Sequence, residues 1–146
     1  VGATYGDCSL LVSALARAAS VEVVGAAYEP NPEALPTLEA NLRLASPGGA
    51  LVARPALVTS SVALSNGSAA EVFVPASSVH ASARPIREAA HGDGEGAAAD
   101  AADASSQGGV MSYAVEATTL DAELGEAPLH LLLISTNGFE REVVAG

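Results

Sequence analysis

Aromatic residues are scarce in this 146-residue chain, which has no tryptophan, three tyrosines and two phenylalanines. Large rings therefore cannot build its core. Alanine and small aliphatic residues must do so, since hydrophobic residues still make up 49% of the sequence. Basic residues are also few: six Lys and Arg stand against seventeen Asp and Glu, for a formal net charge of -11. The six are scattered, and a nucleic-acid partner needs clustered positive charge to neutralise phosphates, so no nucleic acid is expected. The single cysteine, Cys8, rules out an internal disulfide framework and cannot by itself form a zinc site. Its thiol is expected to be buried or to face a helix. No apolar run approaches the length of a bilayer crossing, and no charged-then-apolar leader opens the chain. A cytoplasmic domain without a membrane segment is the expectation.

What remains is the material of one α/β domain spanning residues 1–146. Val1-Gly2 reads as the end of a strand that has lost its beginning, so the chain is expected to be a piece of a longer protein. A glycine-bracketed turn follows, and then a helix with Leu10, Leu11, Ala14, Leu15 and Ala18 on its apolar face. Val21 to Ala27 suits a buried parallel strand. Asn31 reads as an N-cap with Pro32 at the first helical position, and Leu35, Leu38, Leu42 and Ala45 form the buried stripe. Pro36 is tolerable there only within the first turn. After the Pro47-Gly48-Gly49 stop, Ala50 to Val58 and Ala70 to Val74 read as strands joined through a Ser65-Asn66-Gly67 turn. Arg84 to Gly109 is low in large apolar residues and rich in Ala, Gly, Asp, Glu and Ser, the composition of a mobile insertion. Val110 to Leu120 and Leu129 to Ile134 return to strand character, the latter as a central strand, and Phe139 to Val144 begins a helix. Strand and helix in alternation predict a mostly parallel sheet with helices on both faces.

Three blocks carry the chemistry. Val1-Gly2-Ala3-Thr4-Tyr5-Gly6-Asp7-Cys8-Ser9-Leu10 places glycines where backbone must approach a ligand closely. Tyr28-Glu29-Pro30-Asn31-Pro32 sets an acid at the end of the second strand. Glu29 follows Gly6 by 23 residues, close to the roughly 20 that such strand-helix-strand units impose. Ile134-Ser135-Thr136-Asn137-Gly138-Phe139-Glu140-Arg141-Glu142-Val143-Val144 closes the chain. Together the blocks resemble the FkbM family of S-adenosylmethionine-dependent methyltransferases, whose sequences typically read VGANxGxxSL, (F/Y)EPNP and K-I-D-V-E-G-x-E-x-E-V-L. The resemblance implies a Rossmann-like class I methyltransferase fold and S-adenosyl-L-methionine as cofactor. Gly2, Ala3, Gly6 and Asp7 would line its turn, and Glu29 would accept hydrogen bonds from both ribose hydroxyls. Asn66, or alternatively Thr59, would lie near the adenine.

The closing block departs from the family. Where the family has Asp, Glu and Lys, this chain has Ser135, Asn137 and Leu133, and Thr4 replaces the usual Asn of the first block. Serine and asparagine form hydrogen bonds but are not bases at neutral pH. Glu140 and Glu142 remain, and as charges in a first helical turn they also simply complement the helix dipole. His80 sits in a Ser-rich loop near a possible substrate entrance, whereas His91 falls in the insertion and His130 in an apolar run. The catalytic candidates are thus Ser135, Asn137 and His80. Two functions remain open at this point. One is O-methylation of a hydroxyl on a small-molecule or glycan acceptor, and the other is a catalytically impaired relative acting as a ligand-binding or interaction module. A nucleotide-binding oxidoreductase is disfavoured, because G-x-G-x-x-G is incomplete at Thr4.

Overall fold

The computed structural model of the chain describes residues 1–61, 69–75, 82–85, 110–136 and 140–146. Among these residues it is an α/β fold with two sheets. Gly25–Tyr28 (β1) and Leu51–Arg54 (β2) pair in parallel, Gly25 opposite Leu51. Ala56–Val58 (β3), Ala69–Pro75 (β4), Ser82–Pro85 (β5) and Val110–Thr118 (β6) form a second sheet in the order β3-β6-β4-β5. In it β3 and β6 are parallel, while β6-β4 and β4-β5 are antiparallel. The expected mostly parallel sheet is therefore partly antiparallel. The nine residues of β6 are long enough to pair along all of β4 and to give β3 their other edge, so β3 and β4 are not neighbours. Pro55 separates β2 from β3 where one continuous strand was expected. It cannot donate a ladder hydrogen bond, and the chain changes sheets there.

Asp7–Ala18 (α1) and Leu35–Ala45 (α2) pack on each other, and α2 packs on β2. The α2 stripe is as expected, with Leu38 and Leu42 buried among Ala27, Leu51 and Ala53. Its start is not: residues 32–34 form a turn and the helix begins at Leu35. Pro36 lacks an N–H and settles in the first helical turn, where none is needed. The face assigned to α1 is also corrected. Leu11 and Leu15 are 60% and 61% exposed, and the small Ser13 points inward, its Oγ donating to Ser9 O at 2.7 Å. Val21 and Val24 are exposed and precede β1 instead of joining it. Leu129 to Ile134 is not a strand. Ile134 reaches the core, but Leu131, Leu132 and Leu133 are exposed, and among the described residues the segment meets Val1, whose ammonium donates to Leu133 O.

Adjacent side chains of a strand point to opposite faces, and β1 uses both. Ala27 meets α2, while Tyr28 packs with Ala56, Val58 and Val143 of Glu140–Val144 (α4). Leu120 does not extend β6 but opens a short helix, Leu120–Leu124 (α3), capped by the Thr119 hydroxyl, which accepts from Ala122 N at 3.0 Å. Arg84 and Pro85, expected to begin the insertion, pair in β5 with Glu71 and Ala70. Residues 86–109 lie outside the described residues. Among the described residues no helix is long and apolar enough to cross a membrane.

One polar cluster ties the sheets together. Tyr28 Oη donates to Glu123 Oε2 at 2.8 Å, and Thr118 Oγ1 donates to Glu123 Oε1 at 3.1 Å. Burial, reinforced by the bond to Glu123, pushes the Tyr28 phenol up to about 12 from 10.0. A raised phenol pKa means that the fold favours the protonated ring. Its contribution is complete below pH 10.0 and disappears as pH rises through about 12. Urea unfolding of wild type and Tyr28→Phe across this window should show a steeper alkaline loss of stability in wild type. Parallel curves would remove Tyr28 as the cause.

Candidate functional site

The turn that links the chain's first residues to α1 alternates the sign of φ: Gly2 (+69°), Thr4 (+50°) and Gly6 (+86°) are left-handed, while Ala3 and Tyr5 are not. Each glycine is required. A Cβ on Gly2 would overlap the carbonyl of Ser135, and one on Gly6 would meet Leu38 Cδ1 at 2.8 Å. Thr4 has no such freedom, because a β-branched residue at positive φ crowds its own backbone. What holds it there is a hydrogen bond: Thr4 N donates to Glu29 Oε2 at 2.6 Å.

Glu29 reaches this position because prolines constrain its surroundings. Pro30 keeps Glu29 extended off the end of β1, and Pro32 does the same for Asn31. Asn31 N then turns back and donates to Glu29 Oε1 at 2.8 Å, while Asn31 Oδ1 accepts from Glu33 N at 3.0 Å. Glu29 is 5% exposed and Asn31 is 2%, so the carboxylate is a buried acceptor satisfied by two backbone donors. Bonds of this charge-assisted kind are short and strong. Ala3 N donates to Tyr28 O at 3.0 Å and binds the turn to the same strand end.

The structure thus brings Gly2, Ala3, Gly6 and Glu29 together. Asp7 opens α1 with an exposed side chain, and Cys8 beside it is exposed, which excludes burial of the two settings expected for its thiol. Ser135 joins the same place: its N–H donates to Val1 O at 3.0 Å and its carbonyl lies against Gly2. Thr59 is buried in the second sheet, where its N–H donates to Thr118 O at 2.8 Å. Asn66, His80, His91 and Asn137 lie outside the described residues. His130 is exposed. Glu140 Oε1 accepts from Thr136 N at 3.1 Å, an amide that precedes the helix Glu140 opens.

Two features escaped the sequence reading. Asn41 Nδ2 donates to Tyr5 O at 2.8 Å, holding the turn from α2. A polar residue three positions from Leu38 and beside Leu42, on the apolar stripe, was the available signal. Thr136 Oγ1 is buried without a hydrogen-bond partner among the described residues, and Thr136 Cγ2 lies close to Gly2. Only the folded arrangement reveals it.

Comparison with protein-family models, with curated proteins and with solved structures finds no match for the chain.

The backbone geometry predicts opposite effects of two substitutions. Gly2→Ala should destabilise by about 3 kcal/mol, through positive φ plus overlap with the Ser135 carbonyl. Thr4→Asn should stabilise by about 1 kcal/mol, because asparagine tolerates the left-handed region. Denaturant midpoints measure both, and a destabilised Thr4→Asn variant would show that the threonine is not strained.

Proposed function

We propose that this is a Rossmann-like class I methyltransferase domain that binds S-adenosylmethionine and transfers its methyl group to a hydroxyl of a small-molecule or glycan acceptor. The observation that carries the reading is the Glu29 carboxylate 2.6 Å from the Thr4 amide, inside the glycine turn. Glycine turns that bind pyrophosphate offer their amides to an anion. Here one of those amides already holds a carboxylate, whose charge repels a phosphate placed in the same turn. This weighs against nucleotide phosphates and the oxidoreductase reading, and it favours a ligand bringing hydroxyls and positive charge. Each Glu29 oxygen accepts one backbone bond and retains capacity for another, so the pair suits two ribose hydroxyls.

When bound, S-adenosylmethionine would supply an electrophilic sulfonium methyl for transfer to the acceptor's hydroxyl oxygen, with the hydroxyl proton released to solvent. The chain's own residues bind and align. Gly2 and Gly6 give the turn its left-handed backbone and let Ser135 and Leu38 pack close against it, Glu29 holds the turn and would hold the hydroxyls, and Ser135 stands beside Gly2 where the family's Asp is found. Alignment alone supplies much of the acceleration in an in-line transfer. Neutral Ser135, which cannot take the acceptor's proton, favours the second reading of a catalytically impaired, ligand-binding module.

Calorimetry with S-adenosylmethionine and its demethylated product tests binding. Wild type should bind, and Glu29→Ala should lose about 1.5–3 kcal/mol, the scale of hydrogen bonds to a charged group. Binding of NAD or ATP in place of S-adenosylmethionine would overturn the proposal. Activity is tested by pairing wild type with a Ser135→Asp, Asn137→Glu double variant on hydroxylated acceptors. Restored carboxylates should raise methyl transfer by up to roughly 10²–10⁴-fold if one acts as general base. Robust wild-type turnover with no gain would exclude the impaired-module reading.

A further inference from the structure

The Tyr5–Gly6 peptide lies at the centre of the turn and is held at both ends. Its carbonyl oxygen accepts from Asn41 Nδ2 at 2.8 Å, and its N–H donates to Ala3 O at 2.7 Å. Rotating this peptide about its axis would break both bonds and would change φ of Gly6 from its left-handed +86°. Gly6 could accept that change, because glycine occupies both signs of φ with little penalty. The turn's own bond to Ala3 O holds one end of the peptide, and a side chain from another element holds the other.

Asn41 is placed to do so. It sits on α2 between Leu38, which packs beneath Gly6, and Leu42, both fully enclosed by the core. The same helix follows the Glu29-to-Asn31 segment, which holds Thr4 N, after the turn at residues 32–34. The turn is thus gripped at adjacent residues, at Thr4 by an acceptor and at Tyr5 by a donor. We infer that Asn41 is a positioning residue that locks the Tyr5–Gly6 peptide in the orientation the ligand-binding turn requires. The inference rests on the cofactor reading for what the turn binds, but the lock itself is measurable without ligand.

Asn41→Asp keeps the size of the side chain and sets a carboxylate against the Tyr5 carbonyl, so repulsion replaces the hydrogen bond. Asn41→Leu removes the bond without adding charge and serves as the second variant. Amide hydrogen exchange in the ligand-free chain should show Gly6 exchanging about tenfold or more faster in both variants, the loss of roughly one hydrogen bond. The amides of Val115 and Ala117 in the second sheet should keep their wild-type rates. S-adenosylmethionine affinity should fall by about tenfold in Asn41→Leu, and further in Asn41→Asp. Unchanged Gly6 exchange would overturn the lock, as would a uniform acceleration at Gly6, Val115 and Ala117 alike, since that marks general destabilisation. Selective acceleration at Gly6 in a chain that binds no S-adenosylmethionine would uphold the lock and overturn the cofactor reading.

Discussion

The carboxylate of Glu29 is the constraint on which the site depends. It is nearly buried, and each of its oxygens accepts from a backbone amide, Thr4 N on one side and Asn31 N on the other. An ionised group in such a position is costly unless donors replace its lost water. The two amides do so, and in return the carboxylate joins segments far apart in sequence. Thr4 remains left-handed, β1 ends where it does, and the path into α2 is set. Removing the charge would release all three.

The surrounding structure supports that contact from two directions. On one face of β1, Ala27 lies against Leu38 and Leu42 of α2, and Leu38 also fills the space that a side chain at Gly6 would need. On the other face, Tyr28 packs with Val58 and Val143 while its hydroxyl reaches Glu123. The residue immediately before Glu29 is therefore fixed by both packing and hydrogen bonding. Asn41 adds a polar tie from α2 to Tyr5. The turn owes its shape to these neighbours more than to its own conformational preferences, since two of its left-handed residues are glycines and the third is a threonine.

Charge then shapes what the turn can bind. A glycine turn without an internal anion is a natural phosphate cradle. With Glu29 bound to Thr4 N, the same turn carries a negative charge that repels an anion. The Ser135 carbonyl and the Thr136 methyl approach Gly2, and both residues are uncharged; under the proposed reading such a site would hold and align more than move a proton.

Much of this was legible in the residues themselves. Alternating prolines around Glu29 and Asn31 restrict the backbone locally, the glycines mark positions of close approach, and the Leu38–Leu42 stripe announces a buried helix face. Each of these depends on neighbours in sequence. The errors occurred where distant partners decide. Leu11 and Leu15 look like a core face, yet α1 is buried through Ser13, because the fit to α2 and not apolarity alone chooses the side. Leu129 to Ile134 has the composition of a central strand, but strand formation needs ladders on its edges, and Val1 is its backbone partner among the described residues. Whether a sheet is parallel or antiparallel is likewise undetermined by composition, and β6 settled it by lying between β3 and β4. Sequence alone determined the local bends and the acid at the strand end. Only the tertiary structure brought Thr4, Asn41 and Ser135 around them, because hydrogen bonds between remote segments leave no periodicity to read.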